Sequence, residues 1–262
     1  MMTCPLCGST GSEAWHTFGK WPLRRCNDCG LGRIDPQPSA VELDRLYGAA
    51  YFDGRKPQDE SRAASQMGRS SARRLRLIRR FTKSGRLLDA GCGEGKWLAF
   101  ARNAGFDASG FDVSADAAAR AGLNVVVGPM GAAPVQGPFD VITAWHSLEH
   151  TPDPLAALRW LNSLLKPGGL LVVEVPNCES DDARHLGESW DGWQPPFHLW
   201  HFGPATMRRA LEQTGFVSLA ERYDSSRWAR QRWRCIPLLK GALAHFWTGT
   251  SLAIAARKER SA

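Results

Sequence analysis

The stretch from Arg86 to Leu98, RLLDAGCGEGKWL, constrains the fold of this chain more than any other. It begins with the apolar pair Leu87 and Leu88, continues through three closely spaced glycines, and takes on helical periodicity from Lys96 onward. A short strand, a glycine turn and a helix form the start of a nucleotide-binding α/β unit. Glycines permit the sharp turn, and the helix that follows offers unpaired N–H groups to a ligand.

The glycine spacing is G-x-G-x-G, formed by Gly91, Gly93 and Gly95, and differs from the G-x-G-x-x-G of dinucleotide sites. Asp89 stands two residues before the first glycine, and its carboxylate suits a cationic group of the ligand. The alternative is a glycine loop that binds nothing, because glycine runs alone are weak signals. Asp112 follows Gly91 by 21 residues and ends a predicted strand, where a carboxylate can accept both hydroxyls of a ribose.

Strand and helix patterns alternate from residue 85 onward, which predicts an α/β domain built on a parallel sheet. The 262 residues fit one such domain with a small appendage. After the glycine turn, the predicted strands cover 108–112, 123–127, 139–144, 170–175, 216–222 and 250–257.

Two C-x-x-C pairs lie in the first 35 residues, and a glycine follows each pair. Eighteen residues separate the pairs, and four thiolates at this spacing fit a closed tetrahedral zinc site. A redox role is the alternative for a single pair. A ribbon of about 30 residues cannot build its own core, so structural Zn²⁺ would stabilise it. The predicted ligands are Cys4, Cys7, Cys26 and Cys29.

Several further motifs follow the glycine turn in order. With LLDAGCGEG they comprise GFDVS, FDVITAWHSLEHTPDP, LKPGGLLVVEVPN and HLWHF. Together they resemble the UbiG-like group of class I S-adenosylmethionine (SAM)-dependent methyltransferases, of type 23 or 11, over residues 85–258. The four-cysteine ribbon resembles that of a subset in bacterial biosynthetic pathways. The resemblance implies an α/β, Rossmann-like seven-stranded sheet with an antiparallel last strand, preceded by a small zinc ribbon.

Three parts make up the predicted organisation. They are a zinc ribbon over 1–35, a helical linker or lid over 36–84, and a SAM-dependent methyltransferase domain over 85–262. In the linker, Ser39 and Glu42 predict a capping box at the start of a first helix, and a second helix is predicted over about 62–82. The aromatic residues after the first helix either pack on the core or contact the substrate, and they are Tyr47, Tyr51 and Phe52.

The resemblance also assigns residues to the two ligands. The predicted cofactor-binding residues are Asp89, Gly91, Cys92, Gly93, Gly95, Asp112, Val113, Met130, Ala144 and Trp145. A long loop predicted over 176–202 would cover the acceptor pocket, and its aromatic residues suit a flat, apolar or carrier-linked substrate. The aromatic substrate-binding residues predicted in this loop are Trp190, Trp193 and Trp200.

Methyl transfer requires the acceptor to lie in line with the activated methyl group of SAM. A hydroxyl acceptor also loses its proton, for which histidine is the natural base near neutral pH. The candidates are His146, His198, His201 and His150, with His146 or His198 preferred and His150 equally suited to a structural role. Quinone O-methyltransferases of the group carry an acid at the position of His146, which argues against a metal-assisted mechanism. O-methylation of a quinone, polyketide, sugar or similar intermediate is the preferred reaction.

The net charge of +7 is concentrated in two segments. Residues 62–83 hold eight Arg or Lys and no acid, and residues 222–240 hold six and one acid. On a helix, the arginines at 62, 69, 73, 76 and 80 fall within about 60° of one another. These segments are either solvated faces or surfaces for an anionic substrate or carrier. They also sustain a second hypothesis, a zinc-ribbon rRNA or tRNA methyltransferase, although local basicity is a weak indication of nucleic acid. A non-catalytic SAM-binding module is the third.

Apolar runs in the chain are too short for a transmembrane helix, and the N-terminus lacks the pattern of a signal peptide. A cytoplasmic protein is therefore expected. The basic and aromatic segment over 224–248 predicts either a helical insertion or a contact with a membrane surface or a second copy in a homodimer.

Overall fold

The computed structural model describes residues 3–46, 60–121, 124–232 and 248–260. Within these ranges the strands are β1 (Ser12–Phe18), β2 (Trp21–Cys26), β3 (Gly32–Ile34), β4 (Gly85–Ala90), β5 (Phe106–Asp112), β6 (Val125–Val127), β7 (Phe139–Trp145), β8 (Leu165–Pro176), β9 (Trp200–His201), β10 (Phe216–Ser225) and β11 (Thr248–Lys258). The α-helices are α1 (Ala40–Leu46), α2 (Glu60–Arg79), α3 (Lys96–Asn103), α4 (Ala115–Ala121), α5 (Pro154–Leu164), α6 (Asp181–Leu186), α7 (Pro204–Glu212) and α8 (Arg227–Arg232). Short 3-10 helices cover Leu148–His150 and Gly187–Ser189.

Seven strands form the main sheet, in the order β10-β11-β8-β7-β4-β5-β6. The strands from β8 to β6 in this order are parallel, whereas β11 is antiparallel to both of its neighbours. The prediction of an α/β fold with a seven-stranded sheet and an antiparallel last strand is confirmed. Strand β8 begins before the predicted residue 170, because Leu165 already pairs with Phe139 of β7.

Both faces of this sheet are covered, as its apolar strand sequences require. Leu87 and Val141 belong to one buried cluster, while Leu88 and Ile142 belong to the cluster on the opposite face. Consecutive side chains of a strand point to opposite faces, so unbroken apolar runs place a core on each side. The carboxyl ends of the parallel strands therefore meet at one edge, where the glycine turn lies.

Side-chain hydrogen bonds cap the starts of two helices, and the first of these caps was predicted. The Ser39 N–H donates to Glu42 Oε2 at 3.0 Å, and the Glu42 N–H donates to Ser39 Oγ at 3.3 Å, which is a capping box before α1. Ser114 caps α4 by accepting the Ala117 N–H at 3.2 Å. These contacts depend on residues three positions apart and are readable from sequence.

A second sheet joins the cysteine-rich segment to the rest of the chain. Its order is β1-β2-β3-β9, and β9 comes from the segment over 176–202 that was predicted to be a loop. That prediction is wrong in its detail, because the segment also contains α6 and a 3-10 helix. Its backbone groups are satisfied by pairing with β3, with Gly32 opposite His201 and Arg33 opposite Trp200.

The cysteine-rich segment also packs on the main core. Leu6 and Leu31 are buried in the same cluster as Leu158 of α5. Gln213 donates from Nε2 to the Leu6 carbonyl at 3.0 Å. The predicted boundary at residue 35 therefore separates two segments that share one sheet and one apolar interior.

Several predicted features fall outside the described residues. They include the predicted lid residues Tyr47, Tyr51 and Phe52. Residues 233–247 of the basic and aromatic segment over 224–248 also lie outside. Among the helices that the structure describes, none has both the length and the apolar character that crossing a bilayer requires.

Candidate active site

The glycine turn lies between the ends of β4, β5 and β7. The N–H groups of Gly91 and Cys92 donate to the Phe111 carbonyl at 2.9 and 3.0 Å. Gly91 has a φ of 75°, and a Cβ built there would lie 2.5 Å from Ser147 Cβ. Gly93 has a φ of 52°, but a Cβ there would meet nothing within 4 Å. Gly91 is thus packed against the protein with no room for a side chain, whereas the space beside Gly93 is open to a ligand.

Asp112 ends β5 beside this turn and is buried. Its Oδ2 accepts the Gly93 N–H at 2.7 Å, and its Oδ1 accepts the Ser114 N–H at 2.9 Å. An ionised carboxylate has about four acceptor sites, so capacity for two further donors remains. The residue is thus held rigidly with its acceptor groups available.

A cavity of about 700 Å³, here called the central cavity, opens at this edge of the sheet. Its volume lies within the range of about 300–1,000 Å³ that small-molecule sites occupy. Of the predicted site residues, its wall contains Gly91, Gly93, Asp112, Val113, Met130, His146, His150 and His198. Sequence reasoning missed other wall residues, among them Leu43, Asp191, Gln194, Thr250 and Ser251.

The remaining predicted cofactor residues do not line the central cavity. Asp89 is buried and accepts a hydrogen bond from Thr143 Oγ1 at 2.7 Å. Burial raises the pKa of Asp89 to about 7, against the opposing effects of Thr143 and Arg74. The hydrogen bond from Thr143 joins β4 to β7 at this residue. The others that do not line the central cavity are Cys92, Gly95, Ala144 and Trp145.

The three predicted tryptophans are likewise absent from the described wall of the central cavity, and all are buried. Trp193 meets Trp15 of β1 edge-on, with ring centroids 4.8 Å apart, and Trp190 at 4.7 Å. Trp200 donates from Nε1 to the Thr151 carbonyl at 2.9 Å. Trp190 and Trp193 are buried in one cluster with Leu23 and Ile34 of the second sheet, and Trp200 is buried in the main core cluster.

His146 lies between two buried carboxylates. Its Nδ1 is 3.4 Å from Glu149 Oε1, and its Nε2 is 3.1 Å from Glu174 Oε1. Burial alone would lower the pKa of His146, but the two carboxylates raise it to about 9. A histidine that is already protonated at neutral pH cannot accept a proton, so this arrangement argues against the predicted base role. Its φ of 53°, rare for a residue other than glycine, marks a backbone held in place by its surroundings.

Glu174 was not predicted as a site residue. Its carboxylate accepts hydrogen bonds from Arg74 Nη2 at 2.7 Å and from Arg222 Nη2 at 2.8 Å. Burial would raise the pKa of Glu174, but His146 and Arg74 hold it far below its usual range. One signal existed in the sequence: a charged residue inside the buried strand LLVVEV requires partners.

The other predicted bases differ in position. His201 is buried outside the central cavity, and burial lowers its pKa to about 3. His198 is on the wall, but burial lowers its pKa to about 3 as well. His150 is half-buried on the wall, and its Nδ1 lies 2.9 Å from the Phe197 carbonyl. Because a carbonyl only accepts, Nδ1 carries the proton and Nε2 the lone pair.

The four predicted metal ligands come together at one end of the second sheet. The Sγ atoms of Cys4 and Cys29 are 3.6 Å apart, and those of Cys7 and Cys26 are 3.5 Å apart. Tetrahedral Zn²⁺ with Zn–S bonds of about 2.3 Å requires sulfurs about 3.8 Å apart. The four thiols therefore fit a zinc ion.

The two C-x-x-C turns have the same backbone geometry. The Gly8 N–H donates to the Cys4 carbonyl at 2.9 Å, and the Gly30 N–H donates to the Cys26 carbonyl at 3.0 Å. Such paired turns bring four thiols from two distant segments to one point.

A second group with ligand spacing consists of Glu149, His150 and His198, whose ligand atoms lie within 4.8 Å of one another. The protonated His146 beside Glu149 already compensates this carboxylate, which makes the group a weaker cation site than the thiols.

The comparison with protein families agrees with this geometry. A family model described as a methyltransferase domain matches residues 63–221, which is more than half of the chain. The chain belongs to this methyltransferase family. Among curated relatives, a ubiquinone biosynthesis O-methyltransferase of Xanthomonas campestris pv. campestris (strain B100) is 34% identical over 103 residues, covering 35% of this chain and 43% of the relative.

Another relative with the same name, from Xanthomonas euvesicatoria pv. vesicatoria (strain 85-10), is 30% identical over 151 residues, covering 52% of this methyltransferase-family chain and 61% of the relative. The chain thus spans less than two thirds of the length of these relatives. The crystal structure of a SAM dependent methyltransferase from Archaeoglobus fulgidus superposes with a TM-score of 0.57 at 23% identity, covering 73% of this chain and 94% of that one. That similarity shows the fold.

The raised pKa of His146 predicts a pH-dependent stability. A histidine whose folded pKa of about 9 exceeds its unfolded value of about 6.5 stabilises the fold fully below pH 6.5. This stabilisation is lost as pH rises towards 9. The free energy of unfolding of the wild type relative to His146→Gln should fall by on the order of 1–2 kcal/mol over that window, since solvent screens a partly exposed side chain. Urea denaturation of both proteins at pH 6.5, 7.5 and 9 measures this difference in the free energy of unfolding. A difference that does not change with pH would contradict the ion pairs of His146.

Proposed function

We propose that the protein transfers a methyl group from SAM to a hydroxyl group of a small-molecule or carrier-linked biosynthetic intermediate. The observation that carries this proposal is the central cavity, whose wall combines Gly93, Asp112 and His150. The names of the relatives, ubiquinone biosynthesis O-methyltransferases, support a hydroxyl acceptor. A quinone, polyketide or sugar skeleton fits the proposal equally.

The residues around the glycine turn fit the donor. Asp112 has acceptor capacity for the two ribose hydroxyls, and Gly93 lets a ligand approach the backbone closely. Met130 and Val113 provide apolar wall against which the adenine would pack. When bound, SAM supplies a methyl group that its sulfonium already activates.

His150 is the base that the geometry favours. It lies on the wall of the central cavity, and the Phe197 carbonyl fixes the tautomer in which Nε2 can accept a proton. His198 lies against it, with ring centroids 4.7 Å apart. The lowered pKa of His198 makes it the weaker base, so its proposed role is to orient His150.

His146 would act through its charge. Both of its ring nitrogens face carboxylates, so its proposed role is to hold Glu149 and Glu174 in place at the wall of the central cavity, without donating to the acceptor. Glu149 and Glu174 keep it protonated and hold its ring in place. This assignment replaces the base role predicted from sequence.

The four thiols are proposed to hold one structural zinc ion. Their spacing fits a closed site with no open position, and the surrounding ribbon is too small to fold on its own apolar surface. Zinc would thereby fix β1–β3, and through β9 the chain segment that carries His198.

Substitution of Asp112 tests the donor site. Asp112→Asn keeps the shape of the side chain but removes its charge and half of its acceptor capacity, so affinity for SAM should fall about 10- to 100-fold. Isothermal titration calorimetry measures this change. Asp116→Asn, an exposed acid on α4, is the matched control and should leave affinity unchanged. Equal affinities for both variants would remove Asp112 from the site.

Substitution of His150 tests the base. With an acceptor that turns over, His150→Gln should lower kcat about 10²- to 10⁴-fold and change SAM affinity less than threefold, because only proton transfer is lost. Transfer of radiolabelled methyl measures kcat. His185→Gln, an exposed histidine outside the central cavity, should retain full activity. If His198→Gln alone lowers kcat, the base has been assigned to the wrong ring.

Metal analysis tests the zinc site. The purified protein should contain about one zinc per chain, and Cys26→Ser should lose it together with several degrees of Tm, since metal binding supplies folding free energy. Cys178→Ser, a buried cysteine outside the cluster, should keep its zinc. A protein that folds with no metal would contradict this proposal.

A further inference from the structure

The two basic segments of the sequence, far apart along the chain, meet around a second cavity of about 510 Å³. Arg69 and Arg73 of α2 line one side of it, and Arg227 and Arg230 of α8 line another. We call this the arginine cavity. The wall formed by described residues contains a single carboxylate, that of Asp224.

The positive charges of the arginine cavity are not balanced by its own residues. Asp224 lies 3.6 Å from Arg73 Nη1, but it is shared with Arg222 at 3.4 Å. Within the described part of the chain, no carboxylate oxygen approaches Arg69 or Arg230 within ion-pair distance. Arg73 and Arg227 each have an ion-pair partner, so the excess charge is that of Arg69 and Arg230. Like charges brought together repel, and this excess favours an anionic ligand.

Guanidinium groups select phosphate in particular. Each presents N–H donors in a planar fork that matches two phosphate oxygens, and it stays protonated at every physiological pH. A diphosphate carries more charge and more acceptor oxygens than a carboxylate, and it can therefore use several arginines at once. The excess of positive over negative side chains suits such a group.

The arginine cavity adjoins the central cavity. Thr250 of β11 contributes to both walls. Arg227 forms an ion pair with Asp191, which is itself on the wall of the central cavity. A ligand with one end in each cavity would therefore pass along Thr250 and this ion pair.

We propose that the arginine cavity binds a phosphate or diphosphate group of the methyl acceptor, while the hydroxyl to be methylated lies in the central cavity. The inference rests on the methyl transfer proposed above and adds the chemical class of the acceptor. That class is an intermediate attached through phosphate to a nucleoside or to a pantetheine carrier. Nucleic acid fits less well, because its phosphates are contacted along an extended surface rather than in a cavity.

Calorimetry of the full chain saturated with S-adenosylhomocysteine tests the site, with inorganic diphosphate as the probe. Arg69→Gln combined with Arg230→Gln should weaken diphosphate binding at least tenfold and leave S-adenosylhomocysteine affinity unchanged. The matched control combines Arg76→Gln with Arg232→Gln, which removes the same charge from α2 and α8 outside the wall. It should change diphosphate affinity less than threefold, since neither of its side chains lines the arginine cavity.

Two further probes identify the source of the phosphate. Tighter binding of uridine diphosphate than of diphosphate indicates a nucleotide-linked acceptor, and tighter binding of 4′-phosphopantetheine than of inorganic phosphate indicates a carrier-linked one. Each supports the inference.

The inference is overturned if the wild type binds no diphosphate at millimolar concentration, or if the Arg69→Gln, Arg230→Gln protein binds it as the control does. Displacement of diphosphate by single-stranded RNA, with an affinity that grows with RNA length, would also overturn it. Failure of S-adenosylhomocysteine to bind would instead count against the proposed methyl transfer. Titration of diphosphate into the unsaturated protein would then still test the arginine cavity.

Discussion

The buried carboxylate of Glu174 is the constraint on which the active-site edge depends. An ionised carboxylate costs several kcal/mol to bury unless cations and hydrogen bonds compensate it. Here Arg74 from α2, Arg222 from β10 and His146 after β7 all meet it. The loss of any one would leave a buried charge partly unpaired, so α2 and the edge strand β10 are both tied to β8 at this point. The same contacts hold His146 protonated at the wall of the central cavity.

A second dependence links the cysteine-rich segment to the active site. Leu199 donates its N–H to the Glu149 carbonyl at 2.9 Å and accepts the Ile34 N–H at 3.0 Å. Leu199 is thus the single residue that connects β3 of the cysteine-rich segment to Glu149, the neighbour of His150 in sequence. Leu199 also directly follows His198. Trp193, packed against Trp15, adds apolar surface to the same junction. The ribbon is therefore part of the support of the site, and a zinc ion that orders the ribbon would also order the histidines.

Much of the fold and part of the site follow from local sequence. The glycine turn, Asp112 at the end of β5 and the capping box at Ser39 were predicted, because each depends on a few neighbouring residues and on strict spacing. The destinations of Trp190 and Trp193 were not predictable, because a tryptophan suits an aromatic core and a ligand pocket equally. They are fixed by contacts with strands from the other end of the chain.

The sequence by itself determined the α/β sheet, the position of the nucleotide-like turn at its edge, and a four-thiol cluster near the N-terminus. Only the tertiary structure decided the charge states and the surroundings of the histidines. His146 and His198 differ in pKa by several units although both are histidines on one wall, because one faces two carboxylates and the other is desolvated. The tertiary structure also brought the two basic segments together around the arginine cavity. The order of charges along the chain does not specify which charges meet in space.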